Sequence, residues 1–224
     1  LGSILFEVSG TSLKMSATNL SLGIEVEVPG KVTEPGIVAV RGDVLNNIFA
    51  NIDPRSLVTL EIVNDNLVVE TKQSKLLIKS YPHDDFPTLP SVDGTAFSIG
   101  ANTLIEGLKS VYYSAAVSDI KQEIASVYMY GENDHLVFVA TDSFRLAEKK
   151  IKTKKTPEFE GLLLPFKNIN EIIRTFSGSN DELKVVFNKN QISFFSNSIY
   201  LTSRIIDGVF PDYKQIVPKE FKTE

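Results

Sequence analysis

Apolar and polar positions alternate with a period of two along much of the chain. That pattern predicts strands at 4–8, 12–17, 22–29, 57–63, 66–70 and 75–80, and again at 96–100, 124–130, 135–140, 144–152, 183–188, 191–196 and 199–206. Stretches rich in Gly, Asn, Asp and Ser ("VSGTS", "VNDNL", "GENDH", "NKNQ") separate them, which predicts hairpins and antiparallel sheets. Only three segments show helical spacing. "NTLIEGLKSVYYSAA" places Leu104, Ile105, Leu108, Val111 and Tyr112 on one face behind an Asn102 cap. "PFKNINEIIRTF" does so with Phe166, Ile169, Ile172, Ile173 and Phe176, with Pro165 in the first turn. "RGDVLNNIFANI" does so with Val44, Leu45, Ile48, Phe49 and Ile52. Antiparallel strands with helices against one face make the fold class α+β.

The pattern also repeats. Leu1 to Asn19 lies over Ile124 to Asp142 without a gap at an offset of 123, and Ala-Thr-Asn falls on Ala-Thr-Asp. "GIVAVRGDVLNNIFANI" pairs with "GLLLPFKNINEIIRTFS" at 125, setting Val44 on Ile169, and Phe86-Pro87 falls on Phe210-Pro211 at 124. Two copies of one unit are expected, 1–91 and 92–224, with the boundary at "FPTLPSVDGTAF", where Pro87 and Pro90 interrupt pairing. The segment Ala96 to Ala116 has no counterpart in the first copy, which is expected to lack an initial strand and helix. The corner "ATDSFRLA" accordingly has a structural role first, because Ala17-Thr18-Asn19 repeats it; only the second copy continues with Phe144, Arg145 and Leu146.

Composition narrows the classes. With 42% hydrophobic and 23% charged residues over 224 positions, the chain is of ordinary globular type. It has no cysteine, which excludes disulfides and thiolate metal sites and suits a reducing, cytoplasmic setting. No apolar run approaches the roughly 20 residues that a membrane-spanning helix needs. The net charge of −5 argues weakly against a protein coated in nucleic acid, while leaving room for a locally basic surface.

Candidate chemistry is sparse. His83 stands beside Asp84 and Asp85, but a metal site there would need distant ligands that the sequence does not supply, and no metal or cofactor is expected. His135 falls in a hairpin turn, and Glu25 and Glu27 are alternate residues of one strand face. No phosphate loop or nucleophile elbow is present. The residues make no case for an enzyme. Opposite the apolar helix faces lie Arg41, Lys109, Lys167 and Arg174 against Asp43, Glu106 and Glu171. That is four cations to three anions, while the rest of the chain holds nineteen to twenty-five. Such faces could lie along a phosphate backbone without reading sequence. The lysines of "EKKIKTKK" suit a charged edge strand that resists edge-to-edge pairing, with a nucleic-acid patch as the alternative.

"VATDSFRLA" resembles the Ala-Thr-Asp-Gly-His-Arg-Leu-Ala signature of the bacterial DNA polymerase III beta subunit family, the sliding clamps, and "DGVFPDYKQIVP" resembles its Phe-Pro-Asp-Tyr segment. The resemblance covers essentially the whole chain. It implies tandem clamp domains, with antiparallel sheets outside and helices lining a channel for duplex DNA. The rings of this family hold six such domains from two subunits and carry polymerase without catalysing anything. Implied DNA-facing residues are Arg41, Lys109, Lys121, Lys167 and Arg174. The implied partner groove is lined by Ile124, Thr141, Ser143, Phe144, Arg145, Leu146, Pro211, Gln215 and Ile216. It would receive short, largely apolar peptides from the polymerase III catalytic subunit, the clamp loader and other clamp-binding proteins. "KQSKLLIKS" matches the edge strand that joins the next subunit in a homodimer, implicating Lys75, Leu76 and Ile78. Ser143-Phe144 replaces the usual Gly-His, and Gln215 stands where Arg is common. A third copy of the unit is expected downstream; without one, a stand-alone interaction module that never encircles DNA is the rival reading.

Overall fold

The computed structural model describes residues 2–118, 120–153 and 157–217. Two compact units emerge, one from the residues up to Ser91 together with Asn197–Thr202, the other from Val92–Ser196 and the residues from Ser203 on. The first runs β1 (Ser3–Ser9), β2 (Ser12–Thr18), β3 (Leu22–Pro29), β4 (Gly36–Arg41), α1 (Gly42–Ala50), β5 (Thr59–Val63), β6 (Asn66–Glu70), β7 (Lys75–Ile78) and β8 (Ser80–Tyr81). The second runs β9 (Thr95–Gly100), α2 (Ala101–Val111), β10 (Ser126–Glu132), β11 (His135–Thr141), β12 (Leu146–Lys152), β13 (Phe159–Pro165), α3 (Phe166–Phe176), β14 (Glu182–Phe187) and β15 (Gln191–Ser196). β16 (Ile199–Arg204) gives its first residues to the first unit, and a 3-10 turn, Tyr213–Gln215, follows it.

The repeat is visible in the hydrogen-bond register. β1 pairs with β2 as Phe6↔Met15, and β10 with β11 as Met129↔Phe138. Thr18↔Gly23 and Thr141↔Leu146 close the next pair in each unit. The strand orders β3-β2-β1-β4 and β12-β11-β10-β13 are therefore the same, and all these pairings are antiparallel. Ile4↔Val40 and Val127↔Leu164 set the later offset at 124 rather than the expected 125. Shifting by one residue puts Leu45, not Val44, on Ile169. Leu45 is buried accordingly, while Val44 and Phe49, expected on the core face, are exposed. Among the described residues the first unit holds no counterpart of β9 and α2.

The alternation of the chain predicts neither β4 nor β13. Each carries three consecutive buried residues, Val38 to Val40 and Leu162 to Leu164, so both faces are covered and no alternation marks them. The helix starts also differ from expectation. Asn102 does not cap α2; it lies inside the helix, where its amide donates to Asn180 Oδ1 at 2.8 Å, and Gly100 occupies the cap position. Pro165 ends β13 and precedes the first turn of α3 instead of entering it. All three helices leave directly from a strand without a side-chain cap. The first N–H of each instead donates to a backbone carbonyl: Gly42 to Gly2 (2.8 Å), Ala101 to Asp181 (2.9 Å) and Phe166 to Ala125 (2.9 Å). Strand carbonyls and neighbouring loops thus do the work of a cap.

In the first unit Phe6, Val38, Val40, Leu45, Leu67, Val69 and Ile78 form one buried cluster. In the second, Phe138, Phe176 and Phe194 are among the largest fully buried side chains. Among the described residues no helix is long and apolar enough to cross a membrane.

Candidate functional site

The corner between β11 and β12 is built from local bonds. Thr141 Oγ1 donates to the carbonyl of Arg145 (2.8 Å) and accepts from the amide of Ser143 (3.1 Å). Asp142 Oδ1 accepts from the amides of Phe144 and Arg145, both at 3.0 Å, and its Oδ2 accepts from Arg145 Nε at 2.9 Å. The first unit repeats the device: Thr18 bonds the carbonyl of Leu22, and Asn19 Oδ1 accepts from Ser21 and Leu22. Even the positive φ recurs, 71° at Leu20 and 78° at Ser143, in a region that ordinarily favours glycine. The backbone amide of Phe144, then that of Arg145, holds the Asp142 carboxyl below its usual range. It therefore stays ionised at neutral pH, and its share of the corner is lost only as pH falls through that lowered value. Asp142 is a turn acceptor occupied on both oxygens. What the corner presents outward is Phe144, 98% exposed, flanked by exposed Ser143 and Arg145.

Leu146 is half-buried and packs against a cluster of Tyr130, Val137, Val139, Leu163, Phe210 and Tyr213. This brings β12 together with the segment that carries Pro211, Gln215 and Ile216, all three exposed. Two expected groove residues are not surface groups: Thr141 is buried with its hydroxyl spent on the corner, and Ile124 is buried outside this cluster.

The Tyr213 hydroxyl donates to Glu148 Oε2 and lies 2.8 Å from the Tyr130 hydroxyl. Burial, reinforced by the Glu148 bond, pushes that hydroxyl's pKa well up, so it remains a proton donor. Lys214 Nζ bonds Glu132 Oε1 at 3.1 Å and sits 5.4 Å from the Tyr130 ring centre. Phe210 stacks on Tyr128 with centroids 4.8 Å apart. The sequence pointed to the Phe-Pro-Asp-Tyr segment but singled out only its exposed neighbours. Glu148 gave no signal, because its partner lies 65 positions away.

The basic residues are exposed but partly matched. Arg41 ends β4 rather than lying on a helix, and Asp43 engages it through two nitrogens. Arg174 pairs with Glu171 at 2.8 Å, and Glu106 is taken by Lys149 at 2.7 Å. Lys109, Lys121 and Lys167 are exposed. Of the lysine run, Lys149, Lys150 and Lys152 lie on β12, a sheet edge; Lys154 and Lys155 fall outside the described residues. On β7, an edge of the separate three-stranded sheet, Lys75 and Leu76 are exposed, as is Leu77 at 59%, which nothing in the sequence singles out. Ile78 is not available to a partner: it is buried in the core cluster of the first unit, although it lies on the same strand face as the exposed Leu76. A shallow cavity of about 370 Å³ is lined by Val44, Ile48, Ile52, Ser74 and Leu76, which accounts for the exposure of Val44.

Family profiles match both units: the DNA polymerase III beta subunit central domain over residues 98–212 and its N-terminal domain over residues 1–90. A beta sliding clamp of Synechococcus elongatus is 30% identical over 214 residues, 93% of this chain and 57% of that protein. The crystal structure of the DNA polymerase III beta subunit of Thermotoga maritima superposes with a TM-score of 0.91 at 26% identity, covering 99% of this chain and 60% of that one. That of the Pseudomonas aeruginosa subunit gives 0.92 at 25%, covering 98% and 61%. The chain thus spans about three fifths of the relatives it matches, and its fold is theirs.

Proposed function

The chain belongs to the DNA polymerase III beta subunit family, and from that premise we propose that it serves as part of a DNA sliding clamp, a processivity factor. In this reading it does not catalyse. It encircles duplex DNA without reading sequence, in the bacterial cytoplasm, within a homodimeric ring. It tethers the polymerase III catalytic subunit, the clamp loader and other clamp-binding proteins through a peptide groove on the second unit. The carrying observation is the duplicated corner. One turn is built twice, yet only the second copy continues with an exposed Phe144 and a half-buried Leu146 packed on the cluster of Phe210 and Tyr213, whose segment carries the exposed Pro211, Gln215 and Ile216.

The charges suit sliding. Arg41, Lys109, Lys121, Lys167 and Arg174 are the proposed DNA-facing set, and the carboxylates beside Arg41 and Arg174 keep each contact weak. Lys75, Leu76 and the neighbouring cavity are the proposed subunit contact, on the open edge of β7.

The groove can be tested directly because the chain has no tryptophan. A short synthetic peptide of leucine, phenylalanine and one tryptophan between polar spacers should change its emission and saturate at one site when titrated with the 224-residue chain. Unchanged emission through millimolar chain concentrations would remove the groove from the account.

A further inference from the structure

The segment bearing Pro211, Gln215 and Ile216 is held in an unusual way. Ile206 makes the last backbone hydrogen bond to a strand, donating to the Leu163 carbonyl at 2.9 Å. From Asp207 to Val217 the backbone hydrogen bonds of the described residues are internal: Tyr213 to Pro211, Gln215 to Asp212 and Ile216 to Tyr213. Its position therefore depends on side chains. Phe210 and Tyr213, 7% and 4% exposed, plug into the cluster beneath β12, and Lys214 ties to Glu132. Anchors at 210, 213 and 214 alternate with presented residues at 211, 215 and 216.

Of these anchors, only Tyr213 is bonded to the opposite wall. Glu148 follows Leu146 by two positions on β12, so the two side chains share a face of that strand. Leu146 is one wall of the proposed groove and Ile216 belongs to the other. The Tyr213 hydroxyl bridges the strand of one to the segment of the other, with Tyr130 bracing it from β10.

We propose that Tyr213 and Glu148 are positioning residues for partner capture: their hydrogen bond, braced by Tyr130, latches the Pro211–Ile216 segment to β12 and sets the separation of the groove walls. Neither residue need touch the peptide. The inference rests on the groove reading above and adds the device that keeps the groove open to the right width. Without the bond, the segment retains its apolar plugs but loses its directional tie, and part of the binding free energy goes into ordering it again.

The test uses the tryptophan peptide and the 224-residue chain at a temperature where every variant is folded. Tyr213→Phe keeps the ring and removes the donor, and should weaken the peptide about fivefold, the order of one net hydrogen bond. Glu148→Val removes the acceptor and should weaken it by a similar factor. Glu148→Gln retains a carbonyl acceptor and should restore affinity to within about twofold of the parent, a rescue that simple loss of stability does not provide. The double variant Tyr213→Phe/Glu148→Val should bind no worse than the weaker single one, because both remove the same bond. If Leu146→Asp abolishes binding while Tyr213→Phe and Glu148→Val bind like the parent, the latch is wrong and the groove stands. If Leu146→Asp also binds like the parent, both are wrong. Additive losses in the double variant, or binding by Glu148→Gln as poor as that of Glu148→Val, overturn the latch as well.

Discussion

Replacing Phe138 by alanine is expected to destabilise the second unit by about 3–5 kcal/mol, the range for emptying a fully buried aromatic site. Phe138 is 0% exposed at the middle of β11, and α2 crosses it through Gly107. A Cβ on Gly107 would come within 2.2 Å of the Phe138 ring, so that glycine exists to admit the ring. The neighbouring helix cannot close the void without moving its own buried face of Leu104 and Leu108. Gly107→Ala alone should also destabilise, since the ring is enclosed and has nowhere to go. In the Phe138→Ala background the same substitution fills space and gains helix propensity, so the double variant should be more stable than Phe138→Ala. Urea unfolding followed by circular dichroism measures all three. A loss below about 1 kcal/mol for Phe138→Ala would contradict the packing described.

Ile216→Asp is expected to weaken the peptide about thirtyfold, equivalent to roughly 2 kcal/mol, without lowering the unfolding midpoint. Ile216 is 66% exposed, and only its backbone N–H, which donates to the Tyr213 carbonyl at 3.1 Å, contributes to the local turn. An aspartate there leaves that bond intact and places a charge where an apolar partner must desolvate it. Leu146→Asp should abolish binding too, but Leu146 packs against Phe210 and Tyr213, so part of its effect is on folding. Ile216 separates the two. Parent-like affinity in Ile216→Asp would mean that the wall is assigned wrongly.

Burial on both faces did not by itself hide a strand: β6 and β11, with three or more consecutive buried residues, were legible beside turn signals, whereas β4 and β13, with three each and leading straight into a helix, were not. The repeat was legible because identical turns, Ala17-Thr18-Asn19 and Ala140-Thr141-Asp142, demand the same acceptor at the same place. A one-residue slip in the later block misplaced Val44, because a helix with apolar residues at both 44 and 45 fits either register by composition alone. Asn102 looked like a cap because side-chain caps are the local solution; here a distant carbonyl, Asp181, takes that N–H. Leu146 and Ile216 were named as groove residues through the family resemblance, since local pattern alone fits core packing equally well. The bond from Tyr213 to Glu148 joins two otherwise unremarkable positions, and only the folded chain makes them neighbours. Ile78 shows the same limit in reverse: it shares an edge strand and a strand face with the exposed Leu76, yet the core of the first unit covers it and not Leu76.

The tether reading is tested most directly by retention. The complete gene product, placed by its loader on closed circular DNA and on the same DNA linearised, should persist on the circle and be lost from the linear form by sliding off its ends. Under the proposed clamp reading, raising salt should reduce retention on the circle little, because a topological linkage does not depend on the strength of individual phosphate contacts. Equal loss from circular and linear DNA would contradict the encircling clamp.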